Sequence, residues 1–202
     1  MNRAFSQVQK VSFSLPNWIR EFAKSYTPTK NLAERMQFVV TASRMNVKKR
    51  SGGPFAAAIF DSNSGLLVAL GVNLVTTQKL SILHAEMVAI TLAQRKLRTY
   101  DLGGTQIIYE LVTSTEPCAM CFGAIPWSGV RRLVTGANQQ DARNIGFDEG
   151  YKPRRWKEEL KKRGIKVVSS VERTEASSVF QIYEISNGHI YNSREAKIHK
   201  RP

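Results

Sequence analysis

The succession of apolar runs is what most constrains this chain. After the turn signal Ser51-Gly52-Gly53-Pro54, residues 55–60 and 66–72 form two short apolar runs. The break between them, Asp61-Ser62-Asn63-Ser64-Gly65, has the length and the glycine of a β-hairpin loop. Helical and strand-like periods then alternate. Residues 84–98 read as a helix, 107–113 as a strand, 117–124 as a helix and 130–135 as a strand. Residues 139–145 and 153–163 follow as helices, 165–171 as a strand and 174–185 as a last helix. Ahead of the hairpin, residues 31–47 carry an apolar stripe through Leu32, Met36, Phe38, Val39, Val40 and Met45, with Thr29 or Asn31 available as a cap. A hairpin followed by strands separated by helices is an α/β layout on a mixed sheet.

With 202 residues, 42% of them apolar and 23% charged, the chain has the balance of a globular protein and needs no staples to form a core. No apolar run is long enough for a bilayer, and the first 18 residues lack a sustained apolar stretch, so a cytoplasmic protein without a membrane partner is expected. Residues 1–28 lack a clean period and read as an N-terminal extension, anchored through Phe13, Leu15, Trp18, Ile19 and Phe22. The net charge of +14 is uneven. Residues 1–50 hold ten basic and two acidic side chains, and residues 151–202 hold thirteen and six, while 51–150 hold seven and eight. The basic flanks suit a solubilising rim or an anion-attracting border; a nucleic-acid partner is compatible with them but not favoured, because the middle is nearly neutral.

Two cysteines, Cys118 and Cys121, cannot build a disulfide framework, and their C-x-x-C spacing points to metal or redox chemistry in a reducing compartment. His84-Ala85-Glu86 opens one helical pattern and Pro117-Cys118-Ala119-Met120-Cys121 opens another. One histidine and two cysteines make three zinc ligands, which leaves the fourth tetrahedral position for water, the mark of a catalytic site. Cysteines three apart share a helical face, and the positive end of the helix favours thiolate. Glu86, two residues past His84, can move protons there without ligating the metal.

The H-x-E and P-C-x-x-C pair resembles the zinc base deaminases of the cytidine/deoxycytidylate deaminase superfamily, over about residues 31–171. The resemblance implies a three-layer α-β-α fold with a mixed five-stranded sheet, in a domain spanning 29–186. It also implies that His84, Cys118 and Cys121 hold zinc and that Glu86 is the general acid and base of a hydrolytic deamination. Further stretches look like the bacterial guanine deaminase branch, some members of which also take ammeline: Gly52-Gly53-Pro54-Phe55, Gly71-Val72-Asn73, Glu116 through Ile125 with Trp127, Ile145-Gly146-Phe147-Asp148-Glu149, and the tail from Asn187 to Asn192. For that branch Asn73 would read the base through its amide, with Phe55, Ala85, Phe147, Trp127 and Tyr191 as further substrate contacts. Glu149 would be a second catalytic acid near the departing amine. Residues 187–202 would form a tail that closes the site as a lid, and a homodimer is implied. Trp127 stays open between substrate stacking and a dimer interface; Phe55 and Phe147 stay open between stacking and core.

Competing readings remain distinguishable. A tRNA adenosine deaminase shares the zinc motif, and a free-nucleoside deaminase differs only in room for ribose. A non-catalytic RNA-binding module with a retained zinc site has no need of Glu86. A redox C-x-x-C protein has no need of His84.

Overall fold

The structure, a computed structural model of the chain, describes residues 7–192. Five strands form one mixed sheet in the order β2-β1-β3-β4-β5. They are β1 (Ala56–Asp61), β2 (Leu67–Val72), β3 (Tyr109–Thr115), β4 (Arg132–Ala137) and β5 (Lys166–Val168). The β1–β2 and β1–β3 pairs are antiparallel, and β3–β4 and β4–β5 are parallel. The expected hairpin forms, closed by Gly65 at a φ of +75° that a side-chain-bearing residue rarely adopts.

The eight helices of the described residues are α1 (Trp18–Lys24), α2 (Leu32–Lys48), α3 (Val75–Gln78), α4 (Ala85–Leu97), α5 (Ala119–Ser128), α6 (Gln139–Asn144), α7 (Trp156–Lys162) and α8 (Arg173–Ile185). The strands alternate sides, so successive residues feed two cores. Ala56, Ala58, Phe60, Val112 and Val134 pack with Met36 and Val39 of α2 and Val179 and Phe180 of α8. Ala57, Ile59, Leu111 and Leu133 pack with Ala85, Ala89 and Ala93 of α4, Ile125 of α5 and Leu160 of α7. These are the three layers that the sequence implied. Helix α4 lies unusually close to the sheet: a Cβ on Gly71 would stand 2.5 Å from the Ala85 carbonyl oxygen, and the alanines every fourth residue allow that approach.

Local chemistry explains the boundaries. Asn31 caps α2, its Oδ1 accepting from the Ala33 amide at 2.9 Å. Phe13, Leu15, Trp18, Phe22 and Tyr26 pack onto the domain: α1, absent from the sequence reading, is held by Phe22 stacked on Phe38 of α2 at 4.7 Å and by Trp18 Nε1 donating to Ser51 Oγ. Beneath the sheet, fully buried Glu110 of β3 is paired with Arg35 of α2 and, at 3.3 Å, with Arg132 of β4. No helix of the described residues is long and apolar enough to cross a membrane.

Candidate active site and metal centre

The site forms where the parallel strands end, the usual place for ligands in α/β sheets. β3 runs out at Thr115, and the chain passes through Glu116 and Pro117 into α5. Cys118 is the N-cap of α5 and His84 the N-cap of α4, both in extended conformation. Each motif thus sits at a helix start, as its sequence implied; Pro117 lies just outside the helix rather than within its first turn. The two starts converge, with Cys118 Sγ 3.4 Å from His84 Nδ1. The ligand atoms of His84, Cys118 and Cys121 all lie within 4.8 Å of one another. Two sulfurs and one imidazole nitrogen, gathered at two helix N-termini, are a donor set suited to zinc, and three of them match an open catalytic site.

Ionisation follows from these contacts. The hydrogen bond from the Cys121 side chain, with the hydrogen bond and charge of His84, outweighs burial and lowers the Cys118 thiol to about 4. The same bond, with burial, pushes Cys121 well above its usual value. The pair therefore keeps one proton between them, which metal binding would expel. Burial opposes a charged His84, but the hydrogen bond and charge of Cys118 outweigh it and lift its pKa.

Glu86, in the first turn of α4, is 6% exposed. Its Oε1 accepts from Thr113 Oγ1 at 3.3 Å, and its Oε2 lies 3.5 Å from Cys121 Sγ. Burial first, and the Cys118 charge second, raise its pKa. Glu149 is 5% exposed on the loop after α6, and burial followed by the same charge lifts its carboxyl to about 8. Two carboxyls near one cluster, both favouring the protonated form more than a free glutamate, are equipped to carry protons near neutral pH.

Both line a cavity of about 370 Å³. Phe55 and Phe147 form one wall, edge to face at 4.9 Å, and Tyr191 closes it at 5.2 Å from Phe147. Asn73 follows β2, its Oδ1 accepting from the Val75 amide at 3.2 Å. Four buried polar atoms of the lining residues have no protein partner: Asn73 Nδ2, Thr115 Oγ1, Glu149 Oε2 and Tyr191 Oη. Buried polar groups rarely stay unpaired, so their concentration around one cavity marks a site for a polar ligand. The segment carrying Tyr191 is seated on the Glu149 loop. Asn192 Oδ1 accepts from the Asp148 amide at 2.9 Å, and its Nδ2 donates to the Gly146 carbonyl at 2.8 Å. Residues 193–202 of the expected tail lie outside the described residues.

Asn73, Phe55, Phe147, Tyr191, Glu86 and Glu149 are thus brought together with the candidate metal donors His84, Cys118 and Cys121, and two expected contacts are not. Ala85 is fully buried, packed in the core between α4 and the sheet, and does not line the cavity. Trp127 is 83% exposed on α5, about two helical turns from Cys121, and also lies off the cavity. Sequence reasoning missed Thr113 and Thr115: as polar residues ending a strand they look like its solvent-exposed border, and only the sheet's depth buries them.

Comparison with known proteins agrees with this geometry. The family model of the cytidine and deoxycytidylate deaminase zinc-binding region matches residues 29–137. A guanine deaminase of Bacillus subtilis (strain 168) is 39% identical over 112 residues, 55% of this chain and 68% of that protein. The structure of a guanine deaminase from Nitrosomonas europaea superimposes with a TM-score of 0.84 at 40% identity, covering 90% of this chain and all of that one. A further solved structure, in complex with 2,6-diaminopurine, gives a TM-score of 0.84 at 43% identity, covering 91% of this chain and 97% of that one. On its motifs, its fold and these matches, the chain belongs to the cytidine and deoxycytidylate deaminase family defined by that zinc-binding region.

Proposed function

We propose that this chain is a zinc-dependent hydrolase that deaminates guanine to xanthine and ammonia. The observation that carries this reading is the cavity itself: it is lined by members of a three-donor cluster suited to a metal and by a buried glutamate, it has aromatic walls, and its lining residue Asn73 has a buried amide donor, Nδ2, without a protein partner. Guanine offers O6 and N7 as acceptors to such a donor, and flat faces to Phe55 and Phe147. The relatives support the same base, being guanine deaminases or holding a purine with an amino group at C2. No lysine or arginine is among the described residues lining the cavity, whereas Glu86, Glu116, Asp148 and Glu149 are, so it favours a neutral base over a phosphate-bearing substrate such as RNA.

His84, Cys118 and Cys121 would hold zinc, and when bound the ion supplies the Lewis acidity that makes water nucleophilic at neutral pH. Asn73 orients the base by donating to its acceptors, and the phenylalanine wall fixes its plane. Glu86 takes a proton from the attacking water and returns it to the ring nitrogen beside C2. Glu149 gives a proton to the leaving amine, the C2–N bond breaks, ammonia departs, and the remaining C2 hydroxyl proton passes back to Glu149, which leaves the C2 carbonyl of xanthine and restores the acid. Tyr191 and Asn192 cover the base and exclude bulk water, the lid role of residues 187–192. Zinc ligation by two free thiols suits a reducing, cytoplasmic compartment.

A homodimer completes the reading. Helix α5 is apolar around most of its circumference yet leaves Met120 and Trp127 exposed, and Met120 also lines the cavity, so a second copy covering this face would adjoin the site. Sedimentation should give a dimer that Trp127→Lys weakens; a wild-type monomer at micromolar concentration would remove this part of the proposal.

Glu86→Gln tests the chemistry. The variant should keep stoichiometric zinc and lose guanine turnover by about 10²–10⁴-fold. Turnover within threefold of wild type would exclude Glu86 as the proton carrier.

A further inference from the structure

Lys152 is the one buried lysine among the described residues, 8% exposed on the loop between α6 and α7, three residues beyond Glu149. Its ammonium donates to the Pro117 carbonyl at 2.5 Å and stands over the Trp156 ring, 4.9 Å from its centroid. Glu149 and Glu116 lie within its field. Burying an ammonium is unfavourable unless specific partners compensate, and a methionine of similar length would fill the same space without that cost. The position therefore uses the charge and the donor.

What Lys152 holds is informative. Pro117 is the residue before the ligand Cys118, and Ala119 is the residue after it. The Ala119 amide donates to the Glu149 carbonyl at 2.9 Å. The loop that carries Glu149 is thus fastened to the Cys118 turn on both sides of the ligand, by the backbone of Glu149 and by the side chain of Lys152. Between them sits Gly150, at a φ of +66°, where a Cβ would stand 2.9 Å from the Ala119 Cβ; the two segments touch too closely for another residue. The second tether is the only one of the two that a side-chain substitution can remove.

We propose that Lys152 is a positioning residue that clamps the 146–152 loop to the Pro117–Ala119 turn and so fixes the Glu149 carboxyl beside the metal donors. A carboxyl that carries protons must sit at hydrogen-bonding distance from the reacting atoms, and a displacement of about 1 Å can cost roughly 100-fold in rate. The link to turnover rests on the guanine deaminase reading; the clamp does not.

The experiment compares Lys152→Met and Lys152→Arg with wild type in full-length zinc-loaded protein, by amide hydrogen exchange, zinc content and guanine kinetics. In Lys152→Met, the amides of Ala119 and of 146–152 should exchange about tenfold faster or more, while those of Leu111 and Val112 in β3 stay unchanged. Zinc should stay stoichiometric, kcat should fall about 10- to 100-fold, and KM should move less than threefold. Lys152→Arg, which keeps a donor and a charge over Trp156, should recover most of both. Unchanged loop exchange overturns the clamp. So does faster exchange throughout, β3 included, which would make Lys152 a general stability residue. A loosened loop with wild-type kcat overturns the positioning role. Selective loosening of the loop in a protein whose wild type is inert on guanine supports the clamp and removes the substrate reading instead.

Discussion

Asn73→Ala separates two jobs of one side chain. Asn73 is 1% exposed; its Oδ1 accepts from the Val75 amide at 3.2 Å, and its Nδ2 is buried without a protein partner. Losing the first bond acts on the free protein and should cost about 1 kcal/mol, which for a chain of this size lowers the melting temperature by roughly 2–4 °C. Losing the donor acts only when a base is bound. It removes a hydrogen bond of about 1 kcal/mol and leaves a buried acceptor on the base unsatisfied, at about 1–3 kcal/mol. Together these give about 2–4 kcal/mol, or roughly 30- to 700-fold in kcat/KM. The sharper assay is selectivity. 2-Aminopurine keeps the C2 amine of guanine but lacks O6, so wild type should prefer guanine by a factor of this size and Asn73→Ala should largely erase the preference. An identical guanine to 2-aminopurine ratio in both proteins would refute donation from Asn73 to O6, whatever the loss of overall activity.

Three other expectations follow from single contacts. Glu149→Gln should fold and bind zinc normally but lose turnover about 100-fold; an unchanged rate in a steady-state ammonia assay would reduce Glu149 to a wall of the cavity. Glu110→Ala leaves the Arg35 guanidinium, 2% exposed, without its carboxylate and should cost about 3–5 kcal/mol in urea denaturation, whereas Arg35→Met with Glu110→Leu should cost much less; equal losses would mean that packing, not the charge pair, is at stake. Arg173 donates through Nε at 3.0 Å and Nη2 at 2.9 Å to Asp141, which also accepts from the Asn138 amide at 2.8 Å, and these bonds hold the Asp141 carboxyl below its usual range. That stabilisation is fully present above the unfolded carboxylate pKa of about 3.9 and lost as pH falls through the lower folded value. The stability gap between wild type and Arg173→Ala should therefore be widest near pH 7 and close in acid; a gap of the same size at pH 3 would contradict it.

The His84, Cys118 and Cys121 cluster is legible in sequence because its chemistry is local. H-x-E and P-C-x-x-C each place their ligands within one helix start, and helix starts are marked by capping and period. The cavity wall is partly legible, through residues next to turns. What stayed hidden depends on depth. Ile107 and Ile108 look like strand but are 43% exposed, while polar Ser114 and Thr115 are buried, so β3 lies two residues later than its apolar pattern implied. Helix α5 was expected to stop at 124, yet it runs to Ser128 through Pro126, because its last turn packs Ile125 into the core and Gly129 ends it in the left-handed conformation. Helix α3, four residues long, has no period to read. Trp127 carried a suggestive residue type in a suggestive place, but rotation about the α5 axis decides which way it faces. Lys152 reads as one more charge in a basic segment until its burial is known.

The most direct test of the whole account is ammonia release from a panel of substrates at one enzyme concentration, with zinc measured in the same sample: guanine, ammeline, guanosine, adenine, cytosine, cytidine and an adenosine-containing tRNA stem-loop. The account predicts one zinc per chain and guanine turned over fastest, with xanthine as its product. Release from the stem-loop with guanine inert would contradict it, and would make the basic flanks a better guide to the substrate than the cavity.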